Sequence, residues 1–269
     1  MSLPQIALND GHTIPAIGLG TYPLQGLPGY TALRSALHNG YRLVDSAVHY
    51  RNEVEVGRAV REFLTETGVA RDELTIQTKI AGPRHAYERA LQACQDSREL
   101  LGLERIDVLL LHAPNPATGA YRDGWRALVE LRQVGVVHSI GVSNFNAAQL
   151  ATIIEDSGVV PAINQIEVYP FSARPELRAE HARLGIVTQS WNSLACEDCG
   201  FDEPAVAHAA ADHRVTPAQV VLRWQVQQGV VPLPMSSDGE QQREHLDVFG
   251  FELSSEEVAG ISALSRDVP

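Results

Sequence analysis

Two rhythms of apolar and polar positions alternate along this chain. Gln5–Ile17 reads as two short strands folded about Asn9-Asp10-Gly11, a hairpin turn signal. From Gly18 onward, strand-like runs fall at Gly18–Thr21, Arg42–Asp45, Leu74–Lys79, Ile106–His112, Val137–Val142, Ala162–Glu167, Ile186–Trp191 and Val230–Pro234. Helical spacing occupies Tyr30–His38, Glu53–Thr65, Ala86–Leu101, Tyr121–Gln133, Ala147–Asp156, Arg174–Leu184, Asp202–Asp212 and Thr216–Gln228. In the second of these, Val56, Val60, Phe63 and Leu64 share one face.

Eight strands with a helix after each predict an α/β fold: a parallel sheet closed into a (β/α)8 TIM barrel, with the N-terminal β-hairpin closing the bottom. A doubly wound sheet competes, but its nucleotide-binding turn needs G-x-G-x-x-G. Here Gly18-Leu-Gly20 supplies two glycines, and Gly26 and Gly29 are wrongly spaced for the third. No linker, low-complexity tract or charge block divides the chain, so residues 1–269 read as a single domain.

Composition narrows the functional classes. The formal charge of −12 argues against nucleic acid and anionic membrane surfaces. The first residues carry neither a basic segment nor a long apolar one, and no apolar run approaches the ~20 residues of a membrane span. Three cysteines make no disulfide framework, and a reducing cytoplasm is the simplest location.

Three consecutive strand-like runs end on chemically capable side chains: Asp45, Lys79 and His112, with Tyr50 in the loop after the first. Singly, each has an ordinary reading as a cap, a solvated strand end, a satisfied histidine or a loop cover. Together, at the carboxyl edge of parallel strands, they form a candidate active site. A phenol titrates near ~10 and is a weak acid at neutral pH. A neighbouring ammonium favours its ionised form, a carboxylate keeps that ammonium charged, and an imidazole can orient a carbonyl oxygen. The quartet reads as a proton donor aimed at a carbonyl that receives hydride.

From about Gln5 to Leu264 the chain resembles the aldo-keto reductase family. The resemblance rests on Gly18-Leu-Gly-Thr21, Asp45-Ser-Ala-Val-His-Tyr50-Arg-Asn-Glu53, Thr78-Lys79, Leu110-Leu-His112-Ala-Pro114, Gly141-Val-Ser-Asn144-Phe, Asn164-Gln165-Ile-Glu-Val-Tyr-Pro170, Ser190-Trp191 and Leu246-Asp-Val-Phe-Gly-Phe-Glu-Leu253. It is most similar to the bacterial monomeric branch that includes diketogluconate reductases. The resemblance implies hydride transfer from NADP(H) to an aldehyde or ketone. Tyr50 is then the general acid, Lys79 and Asp45 its tuners and His112 the carbonyl-orienting group. Ser143, Asn144 and Gln165 hold the nicotinamide carboxamide, and Trp191 stacks on the ring. Gly20, Thr21, Asn192, Ser193, Leu194, Ser236, Gln241, Glu244 and His245 complete the expected cofactor contacts. Tyr22, His49 and Arg51 are the expected substrate contacts. A small-molecule carbonyl substrate and a monomer are the expected partner and state.

The chain departs from the family after the last strand. The usual Pro-Lys-Ser, arginine and asparagine are replaced by Pro234-Met235-Ser236, Gln241 and His245, with Asp238 and Glu240 adding negative charge. Each charge-assisted bond to a 2′-phosphate contributes ~1.5–3 kcal/mol, so losing both cations should cost on the order of 3–6 kcal/mol if additive. NAD(H) therefore becomes possible. The loop Trp191-Asn192-Ser-Leu-Ala195-Cys196 lacks the family's proline, which predicts a looser turn. Cys196 and Cys199, with His208 and His213, superficially resemble zinc ligands, but the spacing is too short and no metal is expected. Cys94 lies on the apolar face of its helix. The alternative reading keeps the acid–base groups and drops the redox step, giving an isomerase, dehydratase or cyclase. A non-enzymatic, nucleotide-sensing subunit is the third.

Overall fold

The structure is a computed structural model that describes residues 3–194 and 200–266. A hairpin of β1 (Gln5–Ala7) and β2 (Thr13–Pro15) precedes eight parallel strands. These are β3 (Leu19–Gly20), β4 (Leu43–Asp45), β5 (Thr75–Ile80), β6 (Ile106–Leu111), β7 (Val137–Ser143), β8 (Ile163–Glu167), β9 (Val187–Trp191) and β10 (Val230–Pro232). Neighbours in sequence are neighbours in the sheet throughout. The first and last strands meet through Gly18 N–H to Pro232 O and Gly20 N–H to Pro234 O, both 3.0 Å, so the sheet closes as a (β/α)8 barrel. That seam needs glycine, because a Cβ on Gly20 would lie 2.6 Å from the Leu233 carbonyl oxygen.

Inside the barrel, alternate residues fill the lower half with Leu43, Val108, Leu110, Ile163 and Val231. Leu8 and Ile14 of the hairpin pack onto this cluster from below, as the sequence pattern predicts. The larger core lies between sheet and helices.

The helices are α1 (Gly26–Asn39), α2 (Glu53–Thr67), α3 (Tyr87–Leu101), α4 (Tyr121–Gln133), α5 (Ala147–Ser157), α6 (Pro175–Leu184), α7 (Pro204–His213), α8 (Pro217–Gln227), α9 (Gly239–Leu246) and α10 (Ser255–Ser262). Two points differ from the sequence expectation. The first helix starts at Gly26 rather than Tyr30, because Pro28 sits in the first turn, where no N–H is needed for the ladder. A C-terminal helix, α10, was not expected, whereas the two helices between β9 and β10 fall where the periodicity predicts them. Ser254 and Glu257 form the capping box that starts α10, and Ile261 buries it against Val206 and Ala209 of α7. Among the described residues no helix is long and apolar enough to cross a membrane.

Candidate active site

Every barrel strand carries a site residue at or just past its carboxyl end. Thr21 follows β3, Asp45 ends β4, Lys79 lies near the end of β5, and His112 follows β6. Ser143 ends β7, Gln165 lies in β8, Trp191 ends β9 and Leu233 follows β10. They surround a cavity of about 700 Å³ lined by Gly20, Thr21, Tyr22, Asp45, Tyr50, His112, Ala113, Ser143, Asn144, Gln165, Trp191, Asn192, Ser193, Leu194, Leu233 and Met235.

Lys79 is wholly buried behind this lining. Its ammonium donates to Asp45 Oδ2 at 2.7 Å, to Ser46 O at 3.0 Å and to Tyr50 Oη at 3.1 Å. Burial works against the charged form, but Asp45 and Tyr50 outweigh it and hold Lys79 above the ordinary lysine value. All three ammonium hydrogens are engaged, and Tyr50 is an acceptor toward Lys79, so the phenol proton is left to point into the cavity.

The phenol itself departs from the sequence argument, which had the neighbouring cation lowering its pKa. Burial raises Tyr50 by more than Lys79 lowers it, and Asp45 adds to the rise. Tyr50 therefore remains a protonated donor through neutral pH. His112 is pushed down to about 3, by burial first and then by Lys79, His49 and His85, so its imidazole is neutral. Its ring stands edge-on to Tyr50, with centroids 5.8 Å apart.

Asp45 is held on its other side by amides. Its Oδ1 accepts from Gln77 Nε2 at 2.6 Å and from Gln165 Nε2 at 3.2 Å. Both amides also donate to Gln189 Oε1, at 2.9 and 3.1 Å, and Gln189 Nε2 returns a bond to Gln77 Oε1 at 3.1 Å. All three glutamines are buried. Gln77 and Gln189, like Ala113 and Leu233, were not singled out in the sequence. The available signal was parity: Gln77 and Gln189 stand two residues before Lys79 and Trp191, on the same inward register.

On the opposite wall, Asn144 adopts a left-handed backbone (φ 62°), which asparagine tolerates. Its Nδ2 donates to Ser143 Oγ at 2.9 Å and to His112 O at 3.2 Å, and its Oδ1 accepts from Trp191 Nε1 at 2.8 Å. Ser143, Asn144 and Gln165 thus bring a hydroxyl and two amides beside a half-buried indole. That donor set fits a planar aromatic ring bearing a carboxamide.

The turn after β9, where the family proline is missing, is hydrogen-bonded at Asn192 and Ser193. Asn192 (φ 59°) donates to Glu167 Oε1 at 2.8 Å. Buried Ser193 donates from Oγ to Ser190 O at 2.8 Å, and the same oxygen accepts from Leu233 N–H at 3.0 Å. Ala195, Cys196 and Cys199 lie outside the described residues. Cys94 is buried in the core. Among the described residues no group of three or more His, Cys, Asp or Glu is placed to hold a metal ion.

The remaining site residues lie at the rim of the cavity or beyond it. Tyr22 is exposed at its rim, with its ring 5.3 Å from that of Tyr50, and exposed His49 stands edge-on to His112 at 5.7 Å. Arg51 is exposed and left-handed (φ 53°) and does not line the cavity. Beyond Met235, Ser236 donates to Gln241 Oε1 at 2.9 Å. Asp238 caps α9 by accepting from the N–H groups of Glu240 and Gln241 at 2.8 and 2.9 Å. Arg243 donates to Asn39, and Glu244 accepts from Thr216 at 2.7 Å. His245 is buried, which lowers its pKa, and its Nδ1 has no partner among the described residues.

The family model described as "Aldo/keto reductase family" matches residues 16–196 and 202–266. The 2,5-diketo-D-gluconic acid reductase B of Corynebacterium sp. (strain SHS752001) is 46% identical over 265 residues, covering 98% of this chain and 94% of that one. Among solved structures, an aldo/keto reductase from Brucella melitensis superposes with a TM-score of 0.92 at 34% identity, covering 98% of this chain and 100% of the other. A Bombyx mori aldo-keto reductase in complex with NADP superposes with a TM-score of 0.91 at 33% identity, covering 98% and 94%.

Proposed function

Because this chain belongs to the aldo/keto reductase family, we propose that it is a single-domain enzyme reducing a small aldehyde or ketone to an alcohol, with Tyr50 as proton donor. The carrying observation is the Asp45–Lys79–Tyr50 chain, which ends on a phenol proton free to enter the cavity. A nicotinamide held in this cavity would supply the hydride that the carbonyl carbon receives. Neutral His112 donates toward the carbonyl oxygen and aligns it with Tyr50. As negative charge grows on that oxygen, Tyr50 transfers its proton, and charged Lys79 stabilises the phenolate left behind. Asp45 keeps Lys79 charged and in place. Ser143, Asn144 and Gln165 would hold the carboxamide, and Trp191 would cover the ring and exclude water from one face.

The same reading extends to cofactor choice. Met235 and Gln241 offer no cation to a 2′-phosphate, and two first-turn N–H groups of α9, those of Glu240 and Gln241, are already taken by the Asp238 carboxylate. NADPH loses its advantage, and NADH is admitted. The relative named for 2,5-diketo-D-gluconic acid supports a polar, polyhydroxylated carbonyl compound as the substrate class.

The test is nucleotide-dependent reduction of a panel of sugar-acid ketones and simple aldehydes by the wild-type protein and Tyr50→Phe. Turnover that needs NADH or NADPH and collapses in the variant is expected. Turnover without nucleotide would instead favour acid–base chemistry alone.

A further inference from the structure

We infer that Gln189, which touches neither the cavity nor the reacting groups, is a positioning residue that ties the proton-donating half of the site to the cofactor-holding half. The inference rests on the reductase reading above and deepens it.

Four polar atoms form a closed ring across the barrel interior: Asp45 Oδ1, Gln77 Nε2, Gln189 Oε1 and Gln165 Nε2. Donors and acceptors alternate around it. An ionised carboxylate only accepts, so both amides facing Asp45 must present nitrogen. Gln189 Oε1 takes the second hydrogen from each, and its own amide is oriented by the return bond to Gln77 Oε1. No other orientation of the three amides satisfies all of these bonds.

Two consequences meet at opposite ends of the ring. Asp45 is fixed with Oδ2 turned to Lys79, which sets the ammonium against Tyr50. Gln165 has both amide hydrogens engaged, so the edge it offers the cavity is its carbonyl Oε1. That edge accepts from the NH2 of a carboxamide and rejects its oxygen, which selects one orientation of the nicotinamide and hence one face for transfer. The ring spans β4, β5, β8 and β9, strands that are not all neighbours, so backbone pairing alone does not enforce it. An apolar side chain at position 189 would release the Gln165 amide to turn over.

The experiment follows deuterium from 4R- and 4S-labelled nucleotide into 4-nitrobenzaldehyde, together with the pH dependence of kcat, for wild type, Gln189→Met and Gln189→Glu. The first variant keeps side-chain length and removes the acceptor; the second keeps the acceptor. Gln189→Met should lower kcat about ten-fold at saturating nucleotide, with a smaller change in KM, and should leak label from the wrong face. Gln189→Glu, whose buried carboxyl keeps its proton beside Asp45, can still accept from both amides and donate to Gln77 Oε1, so it should restore single-face transfer and leave kcat and the alkaline limb as in wild type. Wild-type label fidelity, an unmoved limb and kcat within about two-fold in Gln189→Met would make residue 189 mere filling and overturn the inference. If Gln189→Met does not fold, Gln189→Asn, whose shorter side chain withdraws the acceptor from both amides, decides in its place by the same criteria, and mixed-face transfer in Gln189→Glu also overturns the inference. Failure of the wild type to transfer label at all would overturn the reductase reading instead.

Discussion

Lys79 donates to Tyr50 across 3.1 Å while its shorter, 2.7 Å bond goes to Asp45, so the phenol is the weaker partner of an ammonium already paired. The two residues have separable roles. Tyr50→Phe removes a hydroxyl at the cavity edge and should leave the melting temperature within a few degrees of wild type. It should reduce kcat by about 10²–10⁴, the usual contribution of a general acid. Lys79→Met should abolish turnover and also destabilise the protein by about 3–5 kcal/mol, because the buried Asp45 carboxylate loses its counter-ion. Parallel urea titrations and steady-state assays check this, and equal stability of the two variants would contradict it. Since Tyr50 is held above the ordinary phenol value, kcat for reduction should stay level through neutral pH and fall only in the alkaline range.

Cofactor preference should be recoverable by restoring charge. Met235 borders the cavity, and Gln241 is exposed at the start of α9. Met235→Lys with Gln241→Arg should tighten NADPH by roughly 1.5–3 kcal/mol per cation, or about one to two decades each, and leave NADH nearly unchanged. Asp238→Asn should favour NADPH further by removing a charge from the anion-binding end of the helix, at little cost to α9, because asparagine caps a helix about as well as aspartate. Quenching of Trp191 fluorescence by each nucleotide measures both constants. Equal tightening of NADH would show that the substitutions act somewhere other than on the phosphate.

The barrel, its hairpin plug and the position of the quartet were legible because strand parity and chain order constrain them strongly. Asp45, Lys79 and His112 close consecutive strands, and parallel strands must bring their ends together. What parity cannot state is how far a side chain reaches across the lumen, so Gln77 and Gln189 read as ordinary strand residues. Electrostatic balance was also hidden. The sequence places a cation beside Tyr50, but only the packing shows that burial outweighs that cation. Helix α10 was overlooked although Ser254-Ser255-Glu256-Glu257 spells its capping box, because the apolar spacing that follows is short. Helix α1 begins four residues before the helical spacing does, because Gly26-Leu-Pro28-Gly29 carries no apolar periodicity, yet first-turn proline is compatible with a helix.

Gly20→Ala should disrupt the barrel seam. The added methyl would lie 2.6 Å from the Leu233 carbonyl oxygen, a backbone atom that cannot turn aside. Separation of β3 from β10 then strains the bond from Gly20 N–H to Pro234 O and displaces Thr21 and Leu233 in the cavity lining. A loss of about 1–3 kcal/mol is expected, comparable to overpacking a core, with a fall in kcat at unchanged Tyr50. Gly68→Ala is the comparison. Its φ of 71° makes it strained as well, but its surroundings are open, so it should lose stability and keep activity. Loss of activity in both variants in proportion to stability would show that the seam has no special link to the site.

Acid should destabilise the protein through its buried imidazoles. His181 is fully buried, with Asn164 donating to its Nε2 at 2.9 Å and its Nδ1 bonded to Thr188 Oγ1 at 2.9 Å, so an added proton at Nε2 would face another donor. Burial pushes it down to about 4. His112 falls to about 3, again through burial first, and His85, His138 and His245 are lowered by the same cause. In the unfolded chain each imidazole takes its proton near ~6.5. The unfolded state therefore binds more protons below that pH, and by linkage the stability these groups confer is complete above about 6.5 and declines as pH falls toward the folded-state values. His181 alone accounts for about 3 kcal/mol of that decline. Glu53 opposes it slightly, since burial raises its pKa and its protonation favours the folded state in acid. Urea midpoints should thus be level from about pH 7 to 8 and drop steadily between about 6.5 and 4, before most carboxylates titrate. His181→Gln, which retains hydrogen-bonding capacity and cannot titrate, should start lower at neutral pH and show a shallower slope across that window. A slope unchanged from wild type would place the acid sensitivity elsewhere.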